Sequence, residues 1–160
     1  MKKHSGITLI ELLIYLAITM IVLVVIIDLV TRIAQNRNFS AGQAVTSQNA
    51  RFLADRLTYA IAQSSVIDGS YPADTLSLTI NSESVVFSLS EGQVFSKVGS
   101  GPGIALTDSQ VAVSAISPGE NIFQKITNGE TLSVQIKFKA TFKQTGFERD
   151  FETTALARGK

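Results

Sequence analysis

The chain has no cysteine and no tryptophan, a single histidine and only three prolines in 160 residues. Without cysteine there is neither a disulfide framework nor a thiolate metal site. The one histidine, His4, stands in a short leader, so catalytic triads and histidine-ligated zinc have no constituents. Charge of either sign is scarce in excess. Fourteen basic side chains face thirteen acidic ones, and the net charge of +1 calls for no polyanionic partner. The glycine-rich stretch 99–103 lacks the Gly-Lys-Ser/Thr ending of a phosphate loop. No two carboxylates stand out as an acid/base pair. These absences leave little for an enzyme to work with, and none is expected.

What the chain does have is a long apolar run. Ile7 to Ile27 would form a helix of roughly 31 Å, about the thickness of a bilayer's hydrocarbon core. Leu12 to Ile27 contains no charge, no Gly and no Pro. Lys2 and Lys3 precede it and favour a cytoplasmic N-terminus. Arg32 and Arg37 beyond it weaken that bias, and Asp28 partly offsets them. The expected orientation is N-terminus in, remainder of the chain out. An ordinary secretory signal places its small-residue cleavage site after the apolar core. Here the small residue, Gly6, precedes the run, so cleavage there would leave the helix on the mature protein.

Glu11 is the one carboxylate inside this run. An ionisable side chain at the centre of a membrane helix costs about 2.5–3.5 kcal/mol on insertion scales, and such groups find partners. The helix offers no Lys or Arg within reach. Cleavage after Gly6 would create an α-amino group at Ile7, four residues from Glu11. That cation suits Glu11 of the same chain or of a neighbour. The plain alternative is a signal anchor whose glutamate stays hydrated near the headgroups.

Gly-Ile-Thr-Leu-Ile-Glu-Leu-Leu at 6–13 closely resembles the class III prepilin signal of type IV pilins and type II secretion pseudopilins. The resemblance covers mainly residues 1–30. It implies that prepilin peptidase cuts after Gly6, that Ile7 becomes the methylated N-terminus, and that Glu11 acts in subunit assembly. Thr8, Leu9, Ile10, Leu12 and Leu13 match the family's usual letters. Ile7 stands where the family usually has Phe, and the helix lacks the proline common in major pilins, with Asp28 near that place. The first of these departures points to a minor rather than a major subunit.

From Asp28 to Ser64 there is no proline, and apolar residues recur at helical steps. The spacing predicts one helix over about 7–64, its second half amphipathic. Val45, Phe52 and Leu57 are expected to pack on the following domain, and Gly42 marks either a kink or a tolerated glycine. After the turn-rich 68–72, the period changes to alternation. Leu76, Leu78 and Ile80 and then Val85, Phe87 and Leu89 predict a hairpin turning at Asn81-Ser82-Glu83, with 78 opposite 87 and 76 opposite 89. Glu91-Gly92 turns into a strand at 93–98, Val111–Ile116 is a further strand, and Ile122–Ile126 is a short strand or turn.

Ser133–Lys143 alternates most clearly, with Val134, Ile136, Phe138, Ala140 and Phe142 on one face and Lys137, Lys139 and Lys143 on the other. A tight turn at Thr145-Gly146 would oppose Lys143 to Glu148, Thr141 to Asp150 and Lys139 to Glu152. That neutralises a stripe which would otherwise read as a contact for DNA or acidic lipid. Asp108, Glu120 and Asn121 are surface-loop residues with at most a calcium reading. The strand order and the ending at Thr153–Arg158 resemble loosely the minor pseudopilins of the J kind and related minor pilins.

The expected fold is α+β: a long N-terminal helix, transmembrane in its first half, packed on an antiparallel β-sheet head. The expected organisation is a leader at 1–6, a membrane half of the helix at 7–30, an amphipathic half at 31–64 and an extracytoplasmic head at 65–160. The expected function is a minor pilin or pseudopilin that assembles after leader cleavage. Its partners would be prepilin peptidase, other pilin-like subunits, the inner-membrane assembly machinery and membrane lipid, with no cofactor and no nucleic acid. The competing reading is a monomeric membrane-anchored binding domain.

Overall fold

The structure is a computed structural model that describes residues 8–128 and 131–157. One helix, α1 (Leu9–Gln63), is followed by nine strands. The chain divides into two compact units, one ending at Ser40 and one beginning at Ala41.

In the first unit the helix is solvent-facing on every side. All residues from Thr8 to Ser40 are exposed. From Leu12 to Ile27 that exposed surface carries no charge and is apolar on every side, as expected of a helix with lipid, not protein, around it. By length and composition, α1 is long and apolar enough to cross a membrane.

In the second unit, residues 41–63 of α1 lie on two antiparallel sheets. The first sheet contains β1 (Val66–Asp68), β2 (Thr75–Ile80), β3 (Glu83–Ser90), β4 (Gln93–Val98) and β5 (Ile104–Ala105), in that spatial order. The second is built around β8 (Thr131–Phe142). β6 (Val111–Ser114) and β7 (Phe123–Asn128) pair along one edge of β8, and β9 (Phe147–Leu156) pairs along the other. Ala73 and Phe123 exchange backbone hydrogen bonds of 3.0 Å and join the sheets, and Asp74 Oδ1 accepts from the Ile122 N–H at 3.1 Å. The α+β architecture is thus a long helix packed on antiparallel sheets.

A single core forms where the three layers meet. Leu53, Leu57 and Ile61 of the helix pack with Leu76, Leu78 and Phe87 of the first sheet and with Val134, Ile136 and Phe138 of the second. The alternation read in β2, β3 and β8 decides which face is buried, because successive strand side chains point to opposite sides. On the helix the buried stripe is Gly42, Thr46, Ala50, Leu53, Leu57, Ala60 and Ile61. This corrects one expectation. Val45 and Leu57 pack on the core, but Phe52 is 53% exposed while its neighbour Leu53 is 1% exposed. Residue 53 stands four before 57 and three after 50, so it shares their face, and residue 52 is turned about 100° off it.

Both hairpin registers also differ from expectation, each by two residues. In the first, Leu78 faces Val85 and Leu76 faces Phe87. Asn81 and Ser82 take positive φ (51° and 68°), which makes a two-residue turn of the mirror-image type favoured by strand twist. In the second, Phe142 faces Phe147 across a loop of Lys143 to Gly146. Gly146 (φ 67°) closes it by donating its N–H to the Phe142 carbonyl at 2.9 Å. Slips of two leave every side chain on its expected face.

The helix passes Gly42 without interruption. That glycine is a point of close approach. A Cβ there would lie 2.7 Å from Phe142 Cδ1 and 3.2 Å from Thr145 Oγ1. Gly42→Val should therefore destabilise the full-length protein in detergent by about 1–3 kcal/mol, as overpacking does, and so lower its unfolding midpoint. An unchanged midpoint in denaturant titration would show that the β8–β9 loop yields freely.

Candidate functional site: the start of the helix

The helix begins at a local signal. Thr8 precedes Leu9, its carbonyl accepts from the Leu12 N–H at 3.2 Å, and its Oγ1 accepts a long hydrogen bond of 3.4 Å from the Glu11 N–H. Thr8 is thus the N-cap and Glu11 the third helical residue, the Thr-x-x-Glu spacing of a capping box. The Thr-x-x-Glu spacing is visible in the sequence itself, beyond the match of Thr8 to the family's letters. Glu11 lies in the first turn, where the exposed N–H groups and the helix dipole favour a carboxylate.

The two carboxylates of the first unit are treated differently. Asp28 Oδ2 accepts from Arg32 Nε at 2.9 Å, an ion pair within one turn and open to solvent. Glu11 has no ion-pair partner among the described residues. Its neighbours along the helix are Leu9, Ile10, Leu12, Leu13 and Ile14, all more than half exposed. In lipid these side chains would be solvated and the carboxylate would not be. Gly6 and Ile7, the expected cleavage and methylation residues, lie outside the described residues, as does His4.

The head holds the other candidate groups. Asp108 Oδ1 accepts from the Gln110 N–H at 2.9 Å and stabilises its own turn. Glu120 and Asn121 stand elsewhere, beside Pro72, Gln124 and Lys137 around a small polar pocket of about 210 Å³. Among the described residues, no group of three or more acids or histidines is placed to hold a metal ion. The glycine-rich stretch folds as a tight connection, with Gly99 N–H on Ser84 O at 2.7 Å and Gly101 N–H on Val98 O at 3.0 Å.

Two of the three stripe lysines, Lys137 and Lys139, are locally paired, though not with the expected partners. With the observed register Thr141 faces Glu148, Lys139 faces Asp150 and Lys137 faces Glu152. Lys137 reaches Glu152 at 3.5 Å, and Lys139 reaches diagonally to Glu148 at 3.1 Å. The expected pairs Lys143–Glu148, Thr141–Asp150 and Lys139–Glu152 do not form across the ladder, because the four-residue loop shifts one strand by two.

Residues 1–27 match the family described as the prokaryotic N-terminal methylation motif. The chain carries the class III prepilin signal, which supports the type IV pilin and pseudopilin family and leaves the subtype open. Nothing matches it among curated proteins or among solved structures. The motif implies processing by prepilin peptidase and assembly of the pilin kind, and the long apolar helix is consistent with membrane anchoring.

The paired lysines yield a prediction. Lys139→Ala should change unfolding stability by less than about 1 kcal/mol, the range of exposed ion pairs. Duplex DNA should not be retained by the protein in a gel-shift titration at physiological salt, and retention that Lys139→Ala abolishes would show the stripe to be a phosphate contact.

Proposed function

We propose that this protein is a minor pilin or pseudopilin, a structural subunit without enzymatic activity, that joins a fibre after its leader is removed. The observation that supports this reading most is the carboxylate of Glu11, without an ion-pair partner among the described residues, in the otherwise apolar and exposed stretch from Leu9 to Ile27 that falls within the matched methylation motif.

The steps follow from charge. Prepilin peptidase hydrolyses the bond after Gly6 on the cytoplasmic side of the inner membrane and frees the amino group of Ile7. That group is then methylated. As a secondary amine it keeps its positive charge. Glu11 pairs with the Ile7 amine of a neighbouring subunit, and the two charges travel together. Burying a paired charge costs far less than burying either alone, so addition to the bundle is favoured over dispersal in lipid. The apolar surface between Leu9 and Ile27 supplies the helix-to-helix contacts once lipid is left behind. The head, facing the extracytoplasmic side, carries the partner-specific surfaces.

Mass spectrometry of the mature protein tests the processing step. Loss of residues 1–6 and a methylated Ile7 is the expected result, and an intact Met1 on the membrane-bound protein would favour the monomeric anchored domain instead. Glu11→Ala tests the assembly step. Insertion should be unchanged by carbonate extraction, while the amount recovered in sheared fibres should fall at least about tenfold, the loss of roughly one buried charge pair. Full incorporation of the variant would remove the assembly role.

A further inference from the structure

The second unit pairs some of its cations and leaves others bare. Lys137 and Lys139 of β8 meet Glu152 and Glu148. Arg51, Arg56 and Arg149 are exposed and have no carboxylate partner among the described residues. All three stand about one exposed ring, Phe52, which borders two shallow grooves.

The grooves differ in chemistry. One, of about 510 Å³, is lined by Arg51 and Arg149 with Ser47, Gln48 and Asp55. Arg149 is held there, donating to Ser47 Oγ at 3.1 Å with its guanidinium 5.4 Å from the Phe151 ring centroid. The register explains why it is unpaired. Arg149 stands opposite the buried Ala140, on the helix side of β9, and its neighbours Glu148 and Asp150 point to the other face. Asp55, the one carboxylate in this groove, forms an ion pair with none of the arginines. The second groove, of about 470 Å³, sets Arg56 beside Val98, Pro102 and Ile104. Val98 and Ile104 are 48% and 67% exposed, so this side is apolar and open.

That combination selects a ligand. Unpaired guanidiniums suit oxyanions, and a carboxylate matches their fork with two parallel hydrogen bonds. An acidic glycan or a nucleic acid supplies oxyanions but no apolar group for the groove of Val98 and Ile104. A peptide supplies both. Aromatic residues and arginine are also the side chains in which the binding energy of protein interfaces concentrates.

We propose that the Phe52 surface seats an acidic, apolar segment of a different polypeptide chain. An apolar side chain of that segment covers Phe52 and Ile104, and its carboxylates take Arg51, Arg56 and Arg149. The inference rests on the subunit reading above, in which a minor subunit meets other chains, and adds the chemistry of the neighbouring surface.

Photo-crosslinking in cells tests it. A benzophenone amino acid replaces Ile104 in the full-length chain, expressed with its assembly machinery, and the captured segment is sequenced by mass spectrometry. The expected capture is a segment of another chain with at least two carboxylates beside an apolar residue. Arg51→Glu with Arg56→Glu, both on the exposed face of the helix, should reduce its yield at least about tenfold, and lysines in place of the captured carboxylates should restore it. The same amino acid in place of Ile18 reports helix bundling alone. Capture of another subunit at position 18 with none at 104 overturns the proposed contact and leaves the subunit reading standing, and loss of both removes both. Capture at 104 of a second copy of this chain, of a glycan or nucleic acid, or of a segment without carboxylates also overturns the contact, as does a yield indifferent to charge reversal.

Discussion

A carboxylate in hydrocarbon needs a cation, and the first turn of α1 does not contain one. That constraint organises the molecule. Asp28, at the far end of the same apolar stretch, meets it within its own helix through Arg32. Glu11 has first-turn N–H groups and the helix dipole beside it, but no cationic side chain among the described residues. The dipole amounts to about half a charge, and at surface sites it is worth roughly 0.3–1 kcal/mol, less than the cost of the buried carboxylate. Under the proposed function a free α-amine at Ile7 would close the difference, and a neighbour's amine would close it only when subunits associate, which makes processing and assembly two halves of one electrostatic requirement.

The head satisfies ordinary packing rules and leaves its exceptions at the surface. Its helix segment is tied to the sheets by Leu53, Leu57 and Ile61, and by the close passage of Gly42 over Phe142. Two turns with positive φ, at Asn81-Ser82 and Glu91-Gly92, set the ladder of the first sheet. The feature that packing does not explain is the exposed Phe52, bordered by Arg51, Arg56 and Arg149.

Much of this was legible in residue periodicity. The change from a 3.6-residue to a two-residue repeat separates helix from strands, and the alternation at 76–80, 85–89 and 134–142 places Leu76, Phe87, Val134 and Phe138 inside. What sequence reasoning lost was rotation and register. Phe52 is the larger and more apolar-looking residue, yet Leu53 holds the core position, because 100° of helical turn outweighs hydrophobicity. Both hairpins slipped by two because the turn residues show in the composition but the turn length does not: the first turn is only Asn81-Ser82, and the second is the four-residue loop Lys143 to Gly146. The motif at Gly6–Leu13 was legible as a string of letters. The capping role of Thr8 was available from the same letters and emerged only with the hydrogen bond to the Glu11 N–H.

The most direct measurement is the distance between the two charges in assembled fibres. Fibres are grown from an equal mixture of chains, half labelled with ¹³C at the Glu11 carboxylate and half with ¹⁵N at Ile7, and read by solid-state dipolar recoupling. Pairing across subunits predicts strong dephasing, corresponding to a separation of about 4–6 Å, the range in which opposite charges stabilise each other. Dephasing seen only when both labels are on the same chain, or none at all, would contradict it.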